Sequence, residues 1–282
     1  MEATMMILYA VVILILVYVL VMLYTWLNGS NGVEDMVIYS STSDGLPART
    51  STATGTVFSK KEVPQIYPGG EYSVSTWIYV TNWGASGSVG KNKPFLTLSG
   101  GGGSYYTLIM YLGQRVNKLG IRASYETTST ATLVKLTDLP NIVTGTPEYS
   151  DTDGMPMCDI ESVDLQRWVN ITVVMMGKTL DVYVDGKLSR SSVLPGIFKA
   201  DGEIPTLTLG SPDGFGGLIG MTRAANIAYT PDRIYANYQA GPFSAWSLSS
   251  LDPSQYVLTV KKDNSTIFTT EKLPTVGIIW PN

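Results

Sequence analysis

The side chains in this sequence that could carry chemistry are an acidic run, a few loop aromatics and one thiol. The acidic run, Asp151, Asp153, Asp159, Glu161 and Asp164, surrounds Gly154 and Pro156 and reads as a loop. Glycoside hydrolysis with direct attack needs two carboxylates held about 5 Å apart across the scissile bond. A loop run without strand spacing does not provide that pair. The same oxygens could attract calcium, which takes six to eight oxygen ligands. However, Asp151-Thr152-Asp153-Gly154 lacks both the preceding acid, position 149 being Tyr149, and the later bidentate glutamate of an EF-hand loop. The run is therefore read as a solvated acidic loop, with calcium as the one metal it would suit. The chain has no histidine, which removes Ser-His-Asp and Cys-His catalysis, histidine-held metals and histidine pH switching together. Cys158 is the single cysteine and has no sequence neighbour that would make it reactive. No catalytic residue, no resident cofactor and no enzyme activity are expected.

The glycine run Gly100 to Gly103 fails as a phosphate loop. Gly90-Lys91 has Ala85 five positions earlier and Asn92 where a magnesium-binding hydroxyl is needed, so these are hairpin tips. Trp83, Tyr105 and Tyr106 fall at loop or strand ends, where aromatic rings could stack on sugars. Of three Asn-x-Ser/Thr sequons, at Asn28, Asn170 and Asn264, only Asn264 sits at a hairpin tip, and it would be an acceptor only in a secretory lumen. Lys and Arg number 19 against 23 acidic residues, a net charge of -4. That excludes an electrostatic nucleic-acid binder, which needs a basic stripe.

Several kinds of element must position these groups. Met5 to Leu27 holds no charged residue and as a helix would span about 35 Å, enough for a hydrocarbon core of about 30 Å. Tyr24 and Trp26 end the run as interfacial aromatics would, and the run is too long for a cleaved signal. Residues 1–27 are thus expected to be a single-pass transmembrane anchor. Residues 28–69, opening with Asn-Gly-Ser-Asn-Gly, read as a flexible joint and lead-in with one edge strand at Met36 to Tyr39. From residue 70 the pattern has period two. Strands are expected at Tyr72 to Val80, Phe95 to Leu98, Tyr106 to Leu112, Leu119 to Ser124, Ala131 to Leu136 and Thr206 to Leu209. Three antiparallel strands are expected over Trp168 to Val193, turning at Met176-Gly177-Lys178 and Asp185-Gly186. Thr230 to Gln239, with Thr230 as N-cap and Pro231 at the first position, is the one soluble helix expected. Residues 243–282 form a smaller β extension. Short strands, glycine-rich turns and almost no helix indicate an all-β, two-sheet antiparallel sandwich.

Three stretches carry a resemblance: YSVSTWIYVTNW, RWVNITVVMMGKTLDVYVDGKL, and LTLGSPDGFGGLIGMTRAANIAYTPDRIYANYQAGP. Together they resemble the laminin-G-like branch of the concanavalin A-like lectin/glucanase jelly rolls, in order, over about Tyr72 to Pro242, within a sandwich domain expected over residues 70–242. The resemblance implies two stacked curved sheets with loops at the rim. The Glu-x-Asp-x-x-Glu set of the glucanase members is absent here, and no calcium-binding rim position transfers. The anchored arrangement is also similar to membrane-attached proteins of large DNA viruses. That likeness implies a minor capsid protein of the virion, a structural link between an internal membrane and the capsid shell. The expected partners are therefore a lipid bilayer and other structural proteins, with a membrane-anchored lectin of the cell surface or secretory lumen, binding glycans, as the first alternative. A degenerate glycoside hydrolase is the second.

Overall fold

The structure is a computed structural model that describes residues 13, 15–20, 34–51, 54–59, 62–83, 90–100, 104–129, 131–135, 139–144, 158–202 and 205–244, with the backbone of 259–262 and 265–269. In chain order the elements are β1 (Asp35–Tyr39), β2 (Leu46–Pro47), β3 (Thr56–Ser59), β4 (Glu71–Asn82), β5 (Lys93–Ser99), β6 (Tyr105–Leu112) and β7 (Leu119–Ala123). There follow β8 (Tyr125–Glu126), β9 (Ala131–Thr132), β10 (Val134–Lys135), α1 (Leu139–Thr144), β11 (Trp168–Met176), β12 (Thr179–Val184) and β13 (Lys187–Val193). The chain ends with β14 (Ile197–Phe198), β15 (Thr206–Leu209), β16 (Gly216–Ala225), α2 (Pro231–Gln239), β17 (Thr259–Lys262) and β18 (Ser265–Thr269).

Two antiparallel sheets make the body. The larger runs β1-β16-β4-β11-β12-β13 with β2 beside β16, and the smaller runs β10-β6-β5-β15-β3 with β7 beside β6. Alternation decides what lies between them. Val74, Ile78 and Val80 of β4 and Val169, Ile171 and Val173 of β11 join Leu96, Leu98, Leu108, Met110, Leu207 and Leu209 of the smaller sheet in one buried cluster. Thr76 and Thr222 also point inward and satisfy each other, their hydroxyls 2.8 Å apart. The expected turn at Asp185-Gly186 is present, with φ of 50° and 76° at the two residues, the left-handed pair that a tight hairpin requires.

Each sheet carries a helix on its outer face. α2 has the expected cap, with Thr230 accepting from the Arg233 N–H and Pro231 at the start. It covers the larger sheet through Val174, Tyr183, Ala225, Tyr229 and Ile234. α1 was not expected. Six residues with a proline among them are too few to show helical periodicity, and the helix exists because Ile142 packs on Ile109, Tyr111 and Val134 outside the smaller sheet.

The sandwich also starts upstream of residue 70. The lead-in supplies β1 and β2 to the larger sheet through β16, and β3 to the smaller through β15. These pieces are too short to show alternation. Ala131 to Leu136, expected as one strand, is split into β9 and β10, which belong to different sheets. The C-terminal hairpin is present as β17 and β18, which among the described residues pair with each other alone. In the N-terminal run, Ile13 and residues 15–20 are helical and exposed. No helix among the described residues is long and apolar enough to cross a membrane. The rest of the proposed anchor, with Tyr24 and Trp26, lies outside the described residues.

Ile171 is wholly buried between the sheets. Ile171→Ala is expected to lower unfolding stability by about 2–5 kcal/mol, read as a lower midpoint in urea with an unchanged slope.

Candidate functional site

The outer face of the smaller sheet is covered only in part. Where α1 sits, the outward residues of β6 are large and apolar, Ile109 and Tyr111. On β5 and β15 they are small hydroxyl residues. Thr97 lies opposite Thr208, and Ser99 opposite Thr206. Val57 of the edge strand β3 lies opposite Thr208 on its other side. These residues floor a groove of about 270 Å³ whose sides are Tyr106 and Leu139 on one flank, Thr54, Gly55 and Val57 on the other, and Pro94, Gly210, Ser211 and Pro212 at one end. None of the lining residues is charged. Burial raises the pKa of the Tyr106 hydroxyl, so it stays neutral and can both donate and accept. The groove therefore offers hydroxyl hydrogen bonds, one aromatic ring and apolar patches. Among the described residues that line it, there is no group for proton transfer at neutral pH and no carboxylate pair.

The three aromatics singled out in the sequence do not converge. Tyr106 lines the groove, while its neighbour Tyr105 is buried, its hydroxyl pushed up to about 12 by burial and by the charges of Asp201 and Glu126. Trp83 lies beyond the other end of β5. Its ring faces the Lys93 ammonium at 4.8 Å and packs on the core. Lys93 is opposite Leu112 whereas Ser99 is opposite Tyr106, so the two ends of β5 are separated by about 20 Å. The fully buried Lys93 donates to the carbonyls of Lys91, Gly113 and Gln114. Trp83 thus serves this buried cation, not the groove.

The acidic run is also divided. Asp151 and Asp153 lie outside the described residues. Asp159, read as part of a solvated loop, is in fact buried. Its carboxylate binds the Arg122 guanidinium through both oxygens, accepts from the Ile121 N–H at 3.0 Å and lies 3.0 Å from Lys118 Nζ. Asp164 pairs with exposed Arg167. With its oxygens so engaged, Asp159 is a structural ion pair and not a calcium ligand. No cluster of three potential metal ligands occurs among the described residues. Asn170 is fully buried, its amide donating to Ser75 Oγ, so that sequon is closed, while Asn28 and Asn264 lie outside the described residues. Cys158 is buried and burial raises its pKa, which makes it unreactive.

Residues 50–235 match the family model described as the concanavalin A-like lectin/glucanases superfamily. No curated protein matches the sequence. Among solved structures, the chain is similar to the CBM40 of the Ruminococcus gnavus IT-sialidase, with 9% identity, 72% of this chain and 99% of that chain covered, and a TM-score of 0.42. That module has also been solved bound to alpha2,3 sialyllactose. A second similar structure is the binding domain of botulinum neurotoxin DC, with 10% identity, 74% of this chain covered and a TM-score of 0.39; the match spans only 46% of that chain.

Removing the buried carboxylate with Asp159→Ala would strand Arg122, whose side chain is only 5% exposed. A loss of about 3–5 kcal/mol is expected, measured by chemical denaturation at neutral pH.

Proposed function

Since the chain belongs to the concanavalin A-like lectin/glucanases superfamily, we propose that it is a non-catalytic binding module that takes an uncharged saccharide in the groove over β5 and β15. The observation that carries this reading is the lining: Thr97, Ser99, Thr206 and Thr208 on the floor with Tyr106 at the flank, and no charged residue among the described residues. A sugar ring presents hydroxyls at its edge and C–H groups on its faces. Threonine and serine hydroxyls match the first, and a tyrosine ring with threonine methyls matches the second. The groove volume of about 270 Å³ lies just below the usual range of about 300–1,000 Å³ for ligand sites, which suits a short saccharide segment. Among the described residues the lining holds no carboxylate pair of the kind hydrolysis uses.

The uncharged length of residues 5–27 supports attachment of this module to a bilayer. The same organisation supports a second reading, a virion component holding an internal membrane to a capsid shell. In that case the protein would copurify with virions, be released only by detergent, and give no signal on a glycan array.

Applied to a glycan array, the protein is expected to bind neutral glycans. Tyr106→Ala and the groove-filling Thr208→Trp should each weaken the best of these by at least about tenfold, or roughly 1.4 kcal/mol, while the thermal transition is retained. Unchanged binding in both folded variants would move the site elsewhere.

A further inference from the structure

One end of the sandwich exposes apolar side chains that no packing within the described residues explains. Tyr67 is 45% exposed, Met176 49%, Val193 76% and Ile197 40%. Tyr67 lies between β3 and β4, and Met176, Val193 and Ile197 are strand-end residues flanking the β11–β12 and β13–β14 connections. Backbone hydrogen bonds join the three connections. The Gly177 N–H donates to Gly70 O, the Phe198 N–H to Gly177 O and the Gly69 N–H to Phe198 O, each at 3.0 Å, and the Leu194 N–H donates to Lys178 O at 2.7 Å. Ile197 packs so closely on Gly69 that an added methyl there would come within 3.2 Å of its Cδ1. The apolar side chains therefore form a fixed surface.

Two carboxylates and one lysine lie near the patch. Glu34 Oε2 accepts from the Gln65 N–H at 2.7 Å, and Glu71 Oε2 accepts from the Ala228 N–H at 3.0 Å, so both carboxylates are engaged by backbone. Lys178, at the hairpin tip, is exposed. The chain also enters the sandwich here. Gln65, which holds Glu34, accepts at Oε1 from the Tyr67 hydroxyl at 2.6 Å. Glu34 follows the apolar run of residues 5–27 by seven positions, which can span at most about 25 Å in any conformation.

We propose that Tyr67, Met176, Val193 and Ile197 rest on the interfacial layer of the bilayer that holds residues 5–27, with Lys178 toward lipid phosphate. This rests on the anchored reading given above. So short a tether keeps this end of the domain beside the lipid at high effective concentration. Tyrosine, methionine and aliphatic side chains beside a lysine suit a surface that is apolar below and charged above.

The test uses the full chain in vesicles of phosphatidylcholine and phosphatidylserine. A fluorophore is placed at Val193→Cys or, as control, at Lys187→Cys, beside the Asp185-Gly186 turn at the far end of β12. Cys158 is buried and leaves the introduced thiol as the labelling site. Headgroup-nitroxide lipid is expected to quench the probe at 193 several-fold more than the probe at 187. Flotation with the vesicles but equal quenching at both positions would overturn the patch and leave the anchor standing. Failure to float would overturn both. A probe at 193 that lipid does not quench, yet that is shielded from aqueous iodide, would put a protein or a second copy there and overturn the proposal.

Discussion

The two long central strands of the larger sheet, β4 and β11, pair in one unbroken register from Trp168 opposite Tyr79 to Met176 opposite Glu71. A slip of one residue would turn Val74, Ile78, Val169, Ile171 and Val173 out to the far face and bring Ser75, Trp77, Asn170 and Thr172 into the core. The outward side enforces the same register. Thr172 Oγ1 bonds Ser75 Oγ at 2.8 Å, and Asn170 Nδ2 reaches the same oxygen at 3.2 Å, so these buried polar groups are paired only when the strands are aligned as they are. Apolar burial inside and polar pairing outside thus act on one alignment, and the neighbouring strands inherit it.

With the inner faces committed to the core, function is left to the outer faces and the ends. The larger sheet is closed outside by α2, where Trp77 stacks on Tyr238 with centroids 5.6 Å apart. Among the described residues the smaller sheet is closed only over β6 and β10, by α1, and its β5 and β15 are open. The charged residues that might have supplied chemistry hold the edges instead. Asp159 with Arg122 and Lys118 fixes β7 against the segment that precedes β11. Lys93 with Trp83 fixes the connections at one end of β5. Buried ions of this kind are costly to break, and the open hydroxyl surface of β5 and β15 is the one the proposed saccharide reading uses.

How much of this was legible in the sequence follows from range. The hairpins of β11, β12 and β13 are local, and alternation with Asp185-Gly186 at the turn marked them directly. Thr230-Pro231 marked the start of α2 in the same way. The groove depends on non-local register. Leu96-Thr97-Leu98-Ser99 and Thr206-Leu207-Thr208-Leu209 each show outward hydroxyls, but only the pairing of β5 with β15, more than a hundred positions apart, puts the two sets side by side. The same limit explains the error at Asp159, which falls where loop composition suggests exposure and is buried against a cation brought from another element, Arg122; half-buried Trp83 likewise meets a cation from another element, Lys93. The resemblance quoted from the strands identified the fold correctly because its motifs are packing and turn motifs.

The central claim is that ligands meet the open outer face of β5 and β15. Hydrogen exchange on the full chain, with and without the best array glycan, tests it most directly. The account predicts slowed exchange confined to residues 97–99, 106 and 206–208, with the Asp185-Gly186 turn unchanged. Slowing confined to the rim loops near Gly90 and Gln114, with residues 97–99 and 206–208 unaffected, would contradict it.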